Sequence, residues 1–202
     1  QLLDESSLKL YREQISDRLK SFRGTTQISI ADDEGNRASL TSSNGEGSGV
    51  MIPGTGIMLN NMLGEADLNP GGFHDWKPDR RVSSMMSPGI LKMNNGTDVV
   101  FGSGGSNRIR TAILQVLLNL IDHKMSVEDA VNAPRLHFEG GKLNVEAGFD
   151  PDVFRELERH YPNQKIWDKK SLYFGGAHSV SVNNGTYSGA GDVRRGGASI
   201  VF

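Results

Sequence analysis

The 202-residue sequence contains no cysteine, and that absence removes disulfides, thiolate catalysis and cysteine metal sites together. It has little net charge, −2 from 22 basic and 24 acidic residues, so neither a nucleic-acid surface nor a polybasic membrane contact is indicated. No apolar run approaches the roughly 20 residues of a membrane-spanning helix. The stretch from Gln1 to Leu10 mixes charged and apolar positions, without the basic start and apolar run of a signal peptide. None of the five histidines, His74, His123, His137, His160 and His178, stands in a metal-binding spacing such as a helical i, i+4 pair with glutamate. They read as structural or surface residues.

What the chain has in excess is glycine, 25 residues in 202 against an average of about 7%. The glycines cluster at 45–56, 102–105, 140–148, 175–176 and 185–197, which marks sharp turns and close backbone approaches rather than low complexity. Between them, hydrophobic periodicity sets out the elements. Residues 2–22 have roughly helical spacing, ended by Gly24. From Thr25 the period becomes two, with Thr26, Ile28 and Ile30 on one side. A turn at Asp32-Asp33-Glu34-Gly35-Asn36 and renewed alternation at Ala38 and Leu40 make a hairpin. A Gly/Ser loop over 42–56 leads to a short strand at 57–59 and a long ordered loop over 62–81. Strands follow at 89–93 and 98–102, around Asn94-Asn95-Gly96. The clearest helix spans 107–123, with Ile109, Ile113, Val116, Leu117, Leu120 and Ile121 on one face. Ser126 caps a short helix that Pro134 ends, 143–145 is a strand, and Pro151 opens a helix to about His160. A hairpin around Asn183-Asn184-Gly185 and a last strand at 199–202 complete the chain. Strands, then helices, then strands predict an α+β layered fold rather than alternating βαβ units.

Three segments carry possible chemistry. At Gly24-Thr25 the glycine permits a strained conformation, and attack by the Thr25 hydroxyl on the Gly24 carbonyl would give an ester that water splits. The product is a free α-amine on Thr25, with pKa about 7.7–8 in model peptides, beside the hydroxyl it would deprotonate. The plain alternative is a helix end meeting a strand start. Gly102-Ser103-Gly104-Gly105-Ser106 joins a strand to the best helix. It is either a tight turn or a set of N–H groups facing an oxyanion, and it lacks the Lys-Ser/Thr of a nucleotide-binding loop. Ser83-Ser84-Met85-Met86-Ser87-Pro88 is either a polar turn or a pair of hydroxyls for a carboxylate. Arg194-Arg195 can anchor a salt bridge or touch substrate, and the anchor is the stronger reading.

In order along the chain, Thr25-Thr26-Gln27-Ile28-Ser29, Gly54-Thr55-Gly56-Ile57-Met58-Leu59-Asn60-Asn61, Ser83-Ser84-Met85-Met86-Ser87-Pro88, Gly102-Ser103-Gly104-Gly105 and Asn132-Ala133-Pro134-Arg135 resemble the small subunit of the γ-glutamyltranspeptidase family. The resemblance runs from about Thr25 to the C-terminus. It implies one part of a four-layer αββα sandwich of the N-terminal-nucleophile hydrolase type. The precursor would cut itself between Gly24 and Thr25, with residues 1–24 as the tail of a large subunit and 25–202 as the small catalytic subunit. The partner is then the large subunit of the same precursor, and the substrate a γ-glutamyl amide of the glutathione kind. No metal or organic cofactor is implied. By the same resemblance, Thr25 is the nucleophile, Ser43 the supporting hydroxyl, and Gly104 and Gly105 the oxyanion-hole donors. Asn44 and Glu65 would bind the substrate's α-amino group, and Ser83 and Ser84 its α-carboxylate.

The sequence departs from better-known members at Gln27, where they have His, and at Met62, where many have Gln. It also has a shorter loop around Gly45-Glu46-Gly47, and its glycine loop reads Gly-Ser-Gly-Gly-Ser-Asn instead of Gly-Ser-Pro-Gly-Gly-Ser. These differences keep two alternatives open: a related acylase of the cephalosporin or glutaryl type, and a non-catalytic ligand-binding relative.

Overall fold

The computed structural model describes residues 24–201. The expected helix over 2–22 therefore lies outside the described residues.

The expected hairpin forms: β1 (Thr25–Ala31) pairs antiparallel with β2 (Arg37–Ser43), in a register that sets Thr25 opposite Ser43 and Gln27 opposite Thr41. A four-stranded antiparallel sheet follows in the order β3-β4-β8-β9, built from Gly89–Lys92, Asp98–Gly104, Gly176–Asn183 and Thr186–Ala190. A third sheet joins β5 (Leu136–Glu139), β6 (Lys142–Val145) and β7 (Gln164–Ile166), with β6 and β7 parallel. The helices are α1 (Arg108–Ile121), α2 (Val127–Asn132) and α3 (Pro151–His160). Among the described residues no helix is long and apolar enough to cross a membrane.

Two expected strands do not form, and two others appear. Residues 57–59 form only an isolated bridge, Met51 to Met58, in a glycine-punctuated excursion with exposed apolar side chains. Residues 199–201 are not a strand. Strands β5 and β7 were not anticipated, because Leu136–Glu139 and Gln164–Ile166 are short and carry polar or charged residues in place of an apolar run.

The four-stranded sheet is covered on both sides. On one face α1 and α2 bury Val116, Leu120, Val127, Ala130 and Val131 against Val99, Ala177 and Ala190. Ser126 starts α2 by accepting from the Asp129 N–H at 3.1 Å, while the Asp129 carboxylate takes the Ser126 hydroxyl at 2.7 Å, a reciprocal cap. On the other face lies the β1–β2 hairpin, in contact with β4 and β8. Helix, sheet, sheet is three layers of the αββα arrangement.

The hairpin is inverted relative to a simple hydrophobic reading. Its inward positions on β1 are Thr25, Gln27 and Ser29, whereas Ile28, Ile30 and Leu40 stand about half exposed. Polar residues in a sheet-to-sheet interface must be hydrogen-bonded, and these are. The Gln27 amide donates to Ser29 Oγ at 3.0 Å, Ser39 Oγ at 2.9 Å and the Ile28 carbonyl, and its oxygen accepts from the Thr41 hydroxyl. Ser29 and Ser39 reach across to the carbonyls of His178 and Phe101. This polar seam joins the two sheets.

Under the far end of the core sits a fully buried charge network. Arg194 grips the Glu146 carboxylate through Nε at 2.8 and 3.1 Å and Nη2 at 2.5 Å, and reaches Asp192 at 3.2 Å; Arg135 reaches Asp192 at 2.8 Å. Burial alone would raise the Asp192 carboxyl, but Arg135, Arg194 and the N–H groups of Arg194 and Ala177 hold it below the usual carboxylate range. Arg194 is thus the salt-bridge anchor expected of it.

Candidate active site

Thr25 opens β1, and its partner in register, Ser43, closes β2. Their hydroxyls lie 2.8 Å apart, and either can donate. Ser43 Oγ also accepts the Gly45 N–H at 3.1 Å, which fixes its position. The pairing follows from hairpin geometry: register partners share a face of the ladder, and the turn at Asp32–Asn36 sets that register. The Asn36 N–H and side chain both donate to the Asp32 carboxylate, closing the turn.

β1 can lie close to β4 because β4 places glycines beneath it. A Cβ at Gly104 would come within 2.8 Å of the Thr25 carbonyl oxygen, and one at Gly102 within 2.0 Å of Gln27 Oε1. Gly104 is the last residue of β4, paired with Gly176, so the strand runs two residues further than its sequence suggests. Gly105 leaves the strand with φ +140°, against Gly175. Ser106 then takes φ +53°, a left-handed conformation unusual for serine, and α1 begins at Arg108.

Thr25 and Ser43 open into a cavity of about 230 Å³ walled by Glu46, Glu65, Asp67, Met62, Met85, Met86, Ser106, Asn107 and Ile109. A larger cavity of about 590 Å³ runs along the backbone of β1 and the segment 195–201. The smaller one is the candidate site, since Thr25, Ser43 and the acidic residues Glu46, Glu65 and Asp67 all line it. Of these acidic residues, Asp67 is engaged by Arg110 at 3.2 Å.

Of the residues singled out in the sequence, Thr25, Ser43 and Glu65 share this cavity. Ser83 and Ser84 are exposed and do not line it; Met85 and Met86 do, and Ser84 Oγ instead accepts the Met86 N–H at 3.1 Å. The Asn44 side chain is likewise outside the lining. Its backbone N–H donates to the Gly24 carbonyl at 3.1 Å, while the Gly24 N–H donates to the Gly45 carbonyl at 3.2 Å. Gly104 and Gly105 pass behind Thr25, and the wall itself is made by the two residues after them. A Cβ at Gly24 would make only ordinary contacts, with the Gly45 carbonyl oxygen at 3.5 Å and the Asn44 Cβ at 3.7 Å.

Sequence reasoning did not single out Glu46, Asp67 or Asn107, and it named Ser106 only as the end of the glycine loop. Asn107 is held by Glu139, to which its side-chain amide donates. That hydrogen bond, with His137 and Arg108, keeps the Glu139 carboxyl below its ordinary value. His137 lies 3.4 Å from Glu139 and 2.9 Å from the Thr111 hydroxyl, and burial pushes its pKa down in spite of Glu139. The only signal for Asn107 was its place at the end of the glycine loop. The described residues include no group of three or more His, Asp or Glu arranged for a metal ion.

Comparison with known proteins shows the family and the fold. The family model of γ-glutamyltranspeptidase matches residues 2–202. The chain is 34% identical over 185 residues to the glutathione hydrolase proenzyme of Escherichia coli (strain K12), covering 84% of this chain and 31% of that protein. It is 35% identical over 181 residues to the acylase ACY 1 proenzyme of Pseudomonas sp. (strain SE83), covering 88% of this chain and 32% of that protein. Among solved structures, the γ-glutamyltranspeptidase from Pseudomonas nitroreducens complexed with L-DON superimposes with a TM-score of 0.72 at 30% identity, over 88% of this chain and 100% of the matched chain. The chain therefore spans about a third of the length of these curated relatives. It belongs to the γ-glutamyltranspeptidase family and has the fold of the N-terminal-nucleophile hydrolases.

Proposed function

From membership of that family we propose that residues 25–202 are the small catalytic subunit of a self-processing N-terminal-threonine amidohydrolase or acyltransferase. Residues 1–24 are the tail of its large subunit, and the rest of that subunit is the partner. The substrate is a γ-glutamyl amide. The observation that carries the reading is the 2.8 Å contact between the Thr25 and Ser43 hydroxyls at the wall of an acidic cavity.

Self-cleavage comes first. Thr25 Oγ adds to the Gly24 carbonyl, the C–N bond breaks with the hydroxyl proton passing to nitrogen, and water hydrolyses the ester to a Gly24 carboxylate and a Thr25 ammonium. Deprotonated, that amine is the base for turnover. Thr25 Oγ then attacks the γ-carbonyl of the substrate, the amine relays the proton to the leaving nitrogen, and water or a second amine resolves the acyl-enzyme. Glu65 attracts the α-amino group of the substrate. The oxyanion donors expected at Gly104 and Gly105 move two residues along the same turn, to Ser106 and Asn107, where it reaches the cavity wall.

Met62, Met85, Met86 and Ile109 in the cavity wall favour a second reading, an acylase for a less polar acyl group, which the similarity to acylase ACY 1 also supports. Rates with a γ-glutamyl and a glutaryl anilide separate the two, because only the first carries the α-amino group.

The test of the main reading is the intact mass and N-terminal sequence of the full precursor after incubation. A new terminus at Thr25 in the wild type, absent from Thr25→Ala along with all turnover, is expected. An uncut wild type, or a Thr25→Ala protein still cut at this bond, would overturn it.

A further inference from the structure

We propose that the backbone N–H of Asn44 is the oxyanion donor for self-cleavage of the Gly24–Thr25 bond. The inference rests on the self-processing reading above and assigns that first reaction a donor separate from the glycine loop.

Two neighbouring residues at the end of β2 face the two reacting groups. Ser43 holds the Thr25 hydroxyl at 2.8 Å, and the next N–H along, that of Asn44, donates to the oxygen of the carbonyl under attack at 3.1 Å. As Thr25 Oγ bonds to the Gly24 carbon, the carbonyl π electrons move onto that oxygen, and the negative charge forms against the Asn44 N–H. The Thr25 hydroxyl proton leaves through Ser43 to the departing Thr25 nitrogen. Water then opens the ester, giving the carboxylate and a proton that the new amine takes up.

The donor is fixed in advance, as such a group must be to lower a barrier. The Asn44 carbonyl accepts the N–H groups of Gly47 at 2.9 Å and Asn61 at 3.4 Å. Asn61 Oδ1 accepts the Glu46 N–H at 2.7 Å, and it fills the space a Cβ at the buried Gly45 would need, at 2.3 Å. The loop 44–47 is therefore held against Asn61 as a unit, and its lead N–H cannot swing away from Gly24. This hydrogen bond already polarises the scissile carbonyl before attack. The glycine loop reaches Thr25 from a different element, through β4, and its continuation at Ser106 faces the substrate cavity.

The bland account is that Asn44 N–H to Gly24 O is one more rung of the β1–β2 ladder. Replacing single backbone amides by esters in the full precursor distinguishes the two. An ester at Asn44, made with the α-hydroxy analogue of asparagine, removes only this N–H. An ester at Leu40, the register partner of Ile28, is the control for a lost amide elsewhere in the same hairpin. The rate of appearance of the Thr25 terminus is read by intact mass, beside thermal unfolding of each protein. The expected result is a loss of about 100-fold at Asn44, in the range of a lost oxyanion donor, with the Leu40 ester within about threefold of wild type. Equal slowing of both esters, or an Asn44 ester cutting at the wild-type rate, overturns the inference while self-processing stands. A wild type that does not cut removes the self-processing reading itself.

Discussion

Gly102 and Gln27 share one space: a methyl group at position 102 would stand 2.0 Å from Gln27 Oε1 and 2.2 Å from its amide carbon. The amide cannot step aside cheaply, since Ser29, Ser39 and Thr41 hold it on three sides. Gly102→Ala should therefore destabilise the protein by about 1–3 kcal/mol, the scale of overpacking or of a disrupted buried hydrogen bond. Urea denaturation at neutral pH measures it, and an unchanged midpoint would show that β1 does not lie this close to β4.

Ser43→Ala removes the contact that holds the Thr25 hydroxyl. Self-cleavage should slow by roughly 10- to 100-fold, a few kcal/mol at most in the barrier. Ser43→Thr should restore most of the rate. Time courses of the Thr25 terminus give the numbers, and a fully active alanine variant would assign the contact to packing alone.

Glu65→Gln keeps shape and removes charge from the cavity wall. With a γ-glutamyl anilide, KM should rise about tenfold or more, on the scale of 1–3 kcal/mol for a charge-assisted hydrogen bond. With a glutaryl anilide, which has no α-amino group, KM should hardly move. Equal effects on both would mean that Glu65 does not meet the amine.

Glu146→Gln leaves Arg194 buried beside a neutral amide. Removing one partner of a buried pair costs about 3–5 kcal/mol, so a fall of several degrees in Tm is expected. Little change would indicate that water reaches this network.

Acid should weaken the fold in two windows. His137 and His178 are both pushed below their ordinary values by burial, and His178 Nδ1 accepts the Asp192 N–H at 3.2 Å, which requires a neutral acceptor. The unfolded chain protonates these rings below about pH 6.5 while the folded one does not. Stability is therefore fully present above that value and declines as pH falls toward the lowered native pKa values. A second decline begins below about pH 4, where the unfolded counterpart of Asp192 protonates before the native carboxylate. Urea midpoints from pH 8 to 3.5 should fall in both windows, and the upper step should shrink in His178→Gln. A rise in stability on acidification to pH 5.5 would contradict the neutral-histidine assignment.

Much of this was legible in the chain. The hairpin at 25–43, the amphipathic helix at 108–121 and the Ser126 cap carry their signals locally, in periodicity and capping chemistry. Thr25 and Ser43 could be named from ordered motifs, and the ladder register brings them together. What stayed hidden depends on neighbours distant in sequence. Alternation at Thr26, Ile28 and Ile30 gave the right element but not which face meets the other sheet, because that face is satisfied by hydrogen bonds that no periodicity reports. Gly102 and Gly104 read as a turn, although their role is to admit β1. Ser83 and Ser84 sit two residues before the side chains that reach the cavity, and an irregular loop has no period from which to infer direction.

The buried charges also determine when the chain can finish folding. Arg135 and Asp192 pair with each other, but Glu146 has its guanidinium partner only once Arg194, 48 residues further along the chain, is in place. Until then the Glu146 carboxylate has to stay wet, which keeps the floor beneath α2 and β6 open. The segment 192–195 thus acts as an inspection step: a chain in which it has not docked is not a slightly weaker version of this protein but one whose interior is still open.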